Sequence, residues 1–426
     1  MNWLKLVALI LGILVVSELN SWSILDNLFF VLTGLLVVSF VWSRFSLRGV
    51  DVTRETKSNR AQVGQTLVER VRIRNTSRFP KLWVEAIDHS DMPGHQISRV
   101  VNLNPNDANS WKVETWCSRR GRFQIGPLTL RSGDPFGLFP METVVPDVRD
   151  LVVYPAVIDL VGFRLPVGDL PGGSATQRRT QFLTPNASGV RQYMPGDSFN
   201  RISWKSTART GQLMVKEFEL DPTSDIWIVV DMDMRHHARA NVSQTMQARA
   251  MLNSPDGALP IEFWLDSTEE YSVTLGASLA NHFLEQTRNV GMIFNNHNYD
   301  DILADRGPRQ MTKILEQLAV MHADGRTPIA ERLLTESIRF DRNSTVIIIT
   351  PSTDEQWVRS VTQLVARGVR CVAVAIEPST FDGSDSSLMV VSDLAAVGVP
   401  TYLVKHGDDI NTALSTQGQG TQAQHV

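Results

Sequence analysis

Two apolar runs open the chain: residues 4–16, interrupted only by Lys5, and residues 25–42, interrupted by Asp26 and Asn27, with a polar stretch at 17–23 between them. Each is near the lower length limit for crossing a hydrocarbon core of about 30 Å. No small-x-small cleavage site follows the first run, and a signal peptide would leave the second unexplained. The pattern predicts a tight transmembrane helical hairpin over residues 1–45. Lys5 precedes it, Arg44 and Arg48 follow it, and the turn carries neither Lys nor Arg. Positive residues favour the cytoplasmic side. The expectation is a multi-pass protein of the cell inner membrane, with both termini and the main body cytoplasmic. Trp3, Trp22 and Trp42 stand near the expected interfaces.

The period then changes to two. Val63, Leu67, Val71 and Ile73 alternate with polar neighbours, and similar runs follow at 82–87, 97–103, 111–116, 123–130 and 151–154. Asn104-Pro105-Asn106 and Asp134-Pro135 are among the turns between them. Short strands so spaced predict an all-β, sandwich-like domain over 46–155. Residues 156–188, rich in Gly, Pro, Ser and Thr, read as a mobile connector.

After 221 the pattern becomes strand, helix, strand. Apolar runs at 226–230, 291–294, 346–350, 371–376 and 401–404 alternate with helical segments at 269–288, 309–321, 329–338 and 355–366 and near Leu394. That alternation predicts a parallel sheet with helices on both faces over 221–410. Residues 234–262 fit it badly and read as an insertion, and 411–426, rich in Gln and Gly, as a disordered tail.

Composition narrows the function classes. The chain has 426 residues, a net charge of -4 and a pI near 6.2, so no global basic field points to nucleic acid. Cys117 and Cys371 are far apart and lack metal-spaced partners. Nucleophile-elbow, phosphate-loop and His-Glu-x-x-His motifs are all missing. His236 and His237 read as part of an exposed loop.

Residues 189–220 concentrate charge, aromatics and turn formers. Asp197, behind Pro195-Gly196, is placed to cap a short helix that Gly211 would stop. Arg201, Lys205 and Arg209 would then share one helical face, with Trp204 on another. Such cations either tie the helix to a neighbouring domain or form a docking face for an acidic partner or phosphate. Arg191, Tyr193, Gly196, Asp197, Arg201, Ile202, Trp204, Lys205, Ala208 and Arg209, followed by residues 215–219, resemble the signature of the domain of unknown function 58 family. Residues 120–139 resemble the same family. The candidate partner-binding set is Arg191, Tyr193, Asp197, Arg201, Trp204, Lys205, Arg209 and Lys216.

The first strand of the α/β region ends in Asp231-Met-Asp233-Met-Arg235, which resembles the start of a von Willebrand factor A domain. That resemblance implies a Rossmann-like fold and a metal site at Asp231, Asp233 and Thr327. The site is degenerate: Asp233 and Arg235 replace two serines, and Thr350-Pro351-Ser352 replaces Thr-Asp-Gly. Its carboxylates either hold a weakly bound Mg²⁺ or pair with Arg235 and cap the next helix. Asp266 and Thr268 form a rival Asp-x-Thr. The family resemblance implies a bacterial or archaeal membrane-anchored, non-catalytic adaptor or chaperone component. It would work with a MoxR-type AAA+ ATPase on the assembly of other proteins, without cofactor. The alternatives are a metal-dependent hydrolase using Asp231 and Asp233, or an anion or nucleic-acid binder through Arg201, Lys205 and Arg209.

Overall fold

Helices apolar on nearly every side begin the chain, as the first two runs predict. The computed structural model describes residues 2–19, 22–163, 165, 187–193, 202–218, 225–240, 265–298, 300–342, 344–383 and 385–415. Two compact units divide the chain, one centred on Met1–Val157 and the other on most of the residues from Ile158 onward.

In the first unit, α1 (Asn2–Leu19) and α2 (Ser23–Ser46) pack together and leave most of their large apolar side chains exposed. The 24 residues of α2 reach about 36 Å at the usual rise. With a mean hydropathy of 2.2 over its most apolar 18 residues, it is, among the described residues, the helix long and apolar enough to cross a membrane. The 18 residues of α1 give about 27 Å. The last carbonyls of a helix have no partner within it. Here the buried Lys81 ammonium donates to the carbonyls of Phe45 at 2.5 Å and Arg48 at 2.9 Å, while burial lowers its pKa.

Ten strands follow: β1 (Val50–Thr56), β2 (Arg60–Gln62), β3 (Thr66–Asn75), β4 (Lys81–Asp88), β5 (Arg99–Leu103), β6 (Ala108–Trp116), β7 (Gly121–Ile125), β8 (Leu128–Ser132), β9 (Met141–Val145) and β10 (Arg149–Tyr154). They form sheets ordered β1-β3-β6, β5-β4-β8-β9 and β2-β10-β7. The first two face each other across Val71, Ile73, Val84, Trp111, Leu128 and Leu130, which is the expected sandwich arrangement. The run expected as one strand at 123–130 is two, broken at Gly126-Pro127, where proline has no N–H to give a ladder. Arg120, in the 120–139 segment, is buried and donates to the carbonyls of Leu318 and Met321, which belong to the same unit.

Period-two burial places Glu69 of β3 on the inner face, and the core answers its charge. Arg54 grips it at 2.8 and 3.2 Å and also reaches Asp88 at 3.3 Å. His95 Nε2 lies 3.3 Å from both carboxylates and Nδ1 2.8 Å from Thr115 Oγ1. All four side chains are at most 2% exposed.

The second unit begins with β11 (Ala187–Gln192) and β12 (Met214–Phe218), an antiparallel pair enclosing α3 (Trp204–Thr210). Then come β13 (Ile226–Val230), α4 (Thr268–Glu285), β14 (Val290–Phe294), β15 (Ile302–Asp305), α5 (Pro308–Val320, whose residues from Leu315 on belong to the first unit), α6 (Ile329–Thr335), β16 (Thr345–Thr350), α7 (Gln356–Ala366), β17 (Arg370–Ile376), α8 (Leu388–Ala396), β18 (Thr401–Val404) and α9 (Ile410–Ser415). The sheet order is β15-β14-β13-β16-β17-β18, parallel except for the edge strand β15. α6, α7 and α8 cover one face through Leu333, Trp357, Val361 and Leu394. α4 lies on the other, where Gly276 comes against Val230, Met292 and Ile349.

Two segments differ from expectation. The tail read as disordered from 411 is helical to Ser415, because Ile410 and Leu414 are buried. The connector read from 156 starts with packed residues: the Phe163 ring meets His282 and Phe283 edge-on and Tyr402 at a tilt. Most of that connector, most of the insertion and the rest of the tail lie outside the described residues.

Removing one partner from a buried ion cluster leaves the others uncompensated, so Glu69→Ala is expected to cost about 3–5 kcal/mol in urea unfolding. Burial pushes the Glu69 carboxyl up, but the hydrogen bonds and charges of His95 and Arg54 outweigh this and hold it below its ordinary 4.5. The unfolded state therefore takes up the proton first as pH falls. This stabilisation is complete above 4.5 and drains away as pH drops through the lower folded value. A Glu69→Gln protein should lack that part of the acid slope, and an unchanged slope would remove Glu69 as its source.

Candidate functional site

At the carboxyl end of β13 the chain turns through Asp231 and Asp233, both fully buried. Asp231 Oδ1 accepts from the Asp233 N–H at 3.1 Å and from Asn295 Nδ2 at 2.7 Å, and its Oδ2 accepts from Thr350 Oγ1 at 2.5 Å. Asn295 follows β14 and Thr350 ends β16, so one carboxylate ties three adjacent strand ends together. The second Asn295 contact runs to the Thr327 carbonyl at 3.1 Å, and its Oδ1 accepts from the Met232 N–H. Gly325 fits here only because it lacks a side chain; a Cβ would lie 1.9 Å from the Asn295 carbonyl oxygen.

Asp233 is answered differently. Arg235 donates its backbone N–H at 3.1 Å and Nε at 2.9 Å to Oδ1, and Nη2 to Oδ2. Burial pushes the Asp233 carboxyl up, and the Arg235 hydrogen bonds and charge outweigh that and hold it low. His237 joins the cluster from outside the expected set. Its Nε2 is 3.0 Å from the Asp231 carbonyl oxygen and its Nδ1 3.0 Å from Thr268 Oγ1. Burial lowers its pKa. A carbonyl can only accept, so the neutral ring carries its proton on Nε2.

The sequence thus brings Asp231, Asp233 and Thr327 to one strand-end site, Thr327 through its backbone. The donors around them do not fit a divalent cation. Both oxygens of each carboxylate already accept protein hydrogen bonds, and a guanidinium stands against Asp233. Among the described residues no group of three or more His, Cys, Asp or Glu is gathered as a metal cluster. The rival Asp266 is paired with Arg239 at 2.5 Å, and Thr268 Oγ1 accepts from the Ala238 N–H. Reading His236-His237 as a simple exposed loop is corrected by the two His237 bonds. Asn295 and His237 were missed because they lie 64 and 6 residues from Asp231 with no motif spacing. The available signal for Asn295 was its place just after a buried parallel strand.

The signature segment is built on the β11–β12 pair. Tyr193 N–H donates to the Leu213 carbonyl and Ser203 N–H to the Met214 carbonyl, both at 2.8 Å. Ile202 bridges Val215, and both are buried. That bridge moves the helix start: α3 begins after Ser203, later than the expected start behind Pro195-Gly196. Gly211 does stop it, in the left-handed conformation at φ 70°. Lys205 and Arg209 remain four residues apart on α3, both exposed, and Trp204 beside them is 68% exposed. Asp197 and Arg201, with the side chains of Arg191 and Lys216, lie outside the described residues.

A family model described as "Protein of unknown function DUF58" matches residues 189–252, which include this segment and both aspartates. The uncharacterized protein YeaD of Bacillus subtilis (strain 168) is 22% identical over 313 residues, 71% of this chain and 70% of that protein. Solved structures matching about a quarter of the chain include the C-terminal domain of wzt (11% identity, 26% of this chain, 75% of that one, TM-score 0.20). Another is the CARDB domain of a Pyrococcus furiosus protein (16% identity, 25% of this chain, 90% of that one, TM-score 0.18). At those scores the likeness carries no argument.

With Arg235 on Asp233, Mg²⁺ should bind no more tightly than about 1 mM, the range of the weakest hard-cation modules. Calorimetry on the purified protein checks this. Micromolar binding abolished by Asp231→Ala would refute it.

Proposed function

We propose that the protein is a non-catalytic, membrane-anchored adaptor or chaperone component that works with a MoxR-type AAA+ ATPase on assembly or maturation of other proteins. The observation that carries this reading is the outer surface of α3, where an exposed Trp204 stands with exposed Lys205 and Arg209 on a helix stapled to a β-pair. A large ring loses little entropy for the area it buries, and Trp and Arg are the residue types that most often carry interface energy. The partner face that suits them is acidic with an apolar pocket. A hydrolytic role is disfavoured because Asp231 and Asp233 are engaged by Asn295, Thr350 and Arg235.

The second unit, in this reading, is a von Willebrand factor A-like domain whose metal site has been rebuilt as a structural knot. Its support is the strand order with β13 central, and the meeting of Asp231, Asp233 and Thr327 at one sheet end. α1 and α2 both cross the inner membrane and leave the rest of the chain in the cytoplasm. The asymmetry of Lys5, Arg44 and Arg48 supports that orientation. Nucleic acid is not a partner, given the net charge of -4.

Anchor residues of an interface typically cost more than about 2 kcal/mol on truncation, some thirtyfold in affinity. Lys205→Glu with Arg209→Glu, and separately Trp204→Ala, should therefore abolish capture of the ATPase at an unchanged melting temperature. Unchanged capture at unchanged melting would sink the docking face. Lowered melting would instead assign the cations to internal ion pairing.

Topology gives an independent check. A reporter fused after Val426 should be active only in the cytoplasm, and activity across the membrane would overturn the two-pass arrangement.

A further inference from the structure

Two loops of the first unit surround the carboxyl end of α2, and they share a construction. In residues 133–140 the buried Asp134 accepts from the backbone N–H groups of Phe136 at 3.0 Å and Phe139 at 2.6 Å. In residues 75–80 the buried Asn75 donates to the Phe79 carbonyl at 2.8 Å and accepts from Ser77 N–H and Oγ at 3.1 and 2.7 Å. Each buried polar residue thus fixes a loop that leaves a phenylalanine in the open: Phe136 is 59% and Phe79 55% exposed. A single exposed ring is ordinary, but rings continuous with a larger apolar surface mark a protein or membrane contact.

Both loops are joined to the apolar helices. The Phe139 ring stacks on Trp3 at 6.2 Å and meets Phe40 edge-on at 5.6 Å, and its carbonyl accepts from Ser43 Oγ at 2.8 Å. Phe79 stacks on Phe45 at 5.3 Å. Phe40 lies within the apolar run of α2, so the 133–140 loop reaches the level where that run ends. Exposed arginines occupy the same level: Arg44 lies over Phe40 at 5.4 Å, Arg48 over Phe45 at 5.6 Å, and Arg78 precedes Phe79. Aromatic rings beside basic side chains at the end of a membrane-crossing helix are the composition of a lipid-headgroup zone.

We infer that residues 75–80 and 133–140 form a lipid-contact surface. They seat Phe79 and Phe136 among the headgroups, while Arg44, Arg48 and Arg78 meet anionic lipid phosphates. The occupant is set by continuity with α2 and by charge: the rings extend its apolar end, and the arginines require an anionic neighbour. The inference rests on α2 crossing the bilayer, and the test separates the two claims.

Nitroxide labels go on Phe79→Cys and Phe136→Cys in the full-length protein, in nanodiscs of phosphatidylcholine and phosphatidylglycerol. Lys112→Cys on exposed β6 serves as the aqueous reference and Val37→Cys on α2 as the hydrocarbon reference. The native thiols stay silent, because Cys117 and Cys371 are buried and burial pushes the Cys371 pKa up to about 12. Labels at 79 and 136 should lose most of the relaxation by a water-soluble nickel chelate seen at 112 and gain relaxation by oxygen. Either label remaining as open to chelate as 112, with 37 in hydrocarbon, overturns the lipid-contact surface and leaves the anchor standing. Shielding seen only in native membranes also overturns it, assigning the face to a protein. A label at 37 that is open to chelate removes the anchor itself.

Discussion

A charge taken out of water must be met by protein groups at contact distance, and that demand arranges both units. The idealised cost of burying one ion is of order 20 kcal/mol, several even after relaxation, so a lone buried ion is not tolerated. In the β-rich unit the answer is the Arg54, Glu69, Asp88 and His95 cluster, which joins β1, β3 and β4 through one centre. In the α/β unit, Arg332 on α6 donates to Asp301, Glu336 and the Phe294 carbonyl, fastening the helix to the end of β14. Glu377, after β17, is wrapped by Ser379, Ser386 and Ser387. The strand-end aspartates obey the same rule. Asp231 draws on Asn295 and Thr350, Asp233 on Arg235, and each holds a turn or strand end in position.

This explains which parts of the molecule were legible. Burial of one face imposes a period of two, so β3 and β6 could be read from Leu67 to Ile73 and from Trp111 to Trp116. Burial of both faces imposes continuous apolar runs, and β13, β16 and β17 stood out for that reason. Strands with little buried area gave no pattern: β15 is a four-residue edge and β9 is largely exposed. The start of α3 was misread because a tertiary contact decides it. Ile202 suits a helix, yet its pairing with Val215 takes it into a bridge. Half of the strand-end site was readable from Asp231, Asp233 and Arg235, which are adjacent. The other half was not, because Asn295 lies 64 residues away and only the parallel strand order brings it near.

The interior and exterior of the second unit divide their labour. Inside, Asp231 and Asp233 are engaged by Asn295, Thr350 and Arg235. Outside, α3 has seven residues, too few to be stable in water on its own. Its geometry comes from the Ser203–Met214 and Met214–Thr207 bonds and the Ile202–Val215 bridge. What it displays is therefore set by the β-pair beneath it, and loosening that pair would spoil the surface without touching an exposed side chain.

The passage from α2 to β1 has a mechanical consequence. Only residues 47–49 separate them, and Lys81 of β4 grips the carbonyls of Phe45, in the last turn of α2, and Arg48, within the crossing. There is no slack here to act as a leash. The β-rich sheets cannot swing or swivel on this helix; they tilt as the helix does. A torque applied to the strands would pass into α2 nearly undiminished, so the joint behaves as a rigid lever arm.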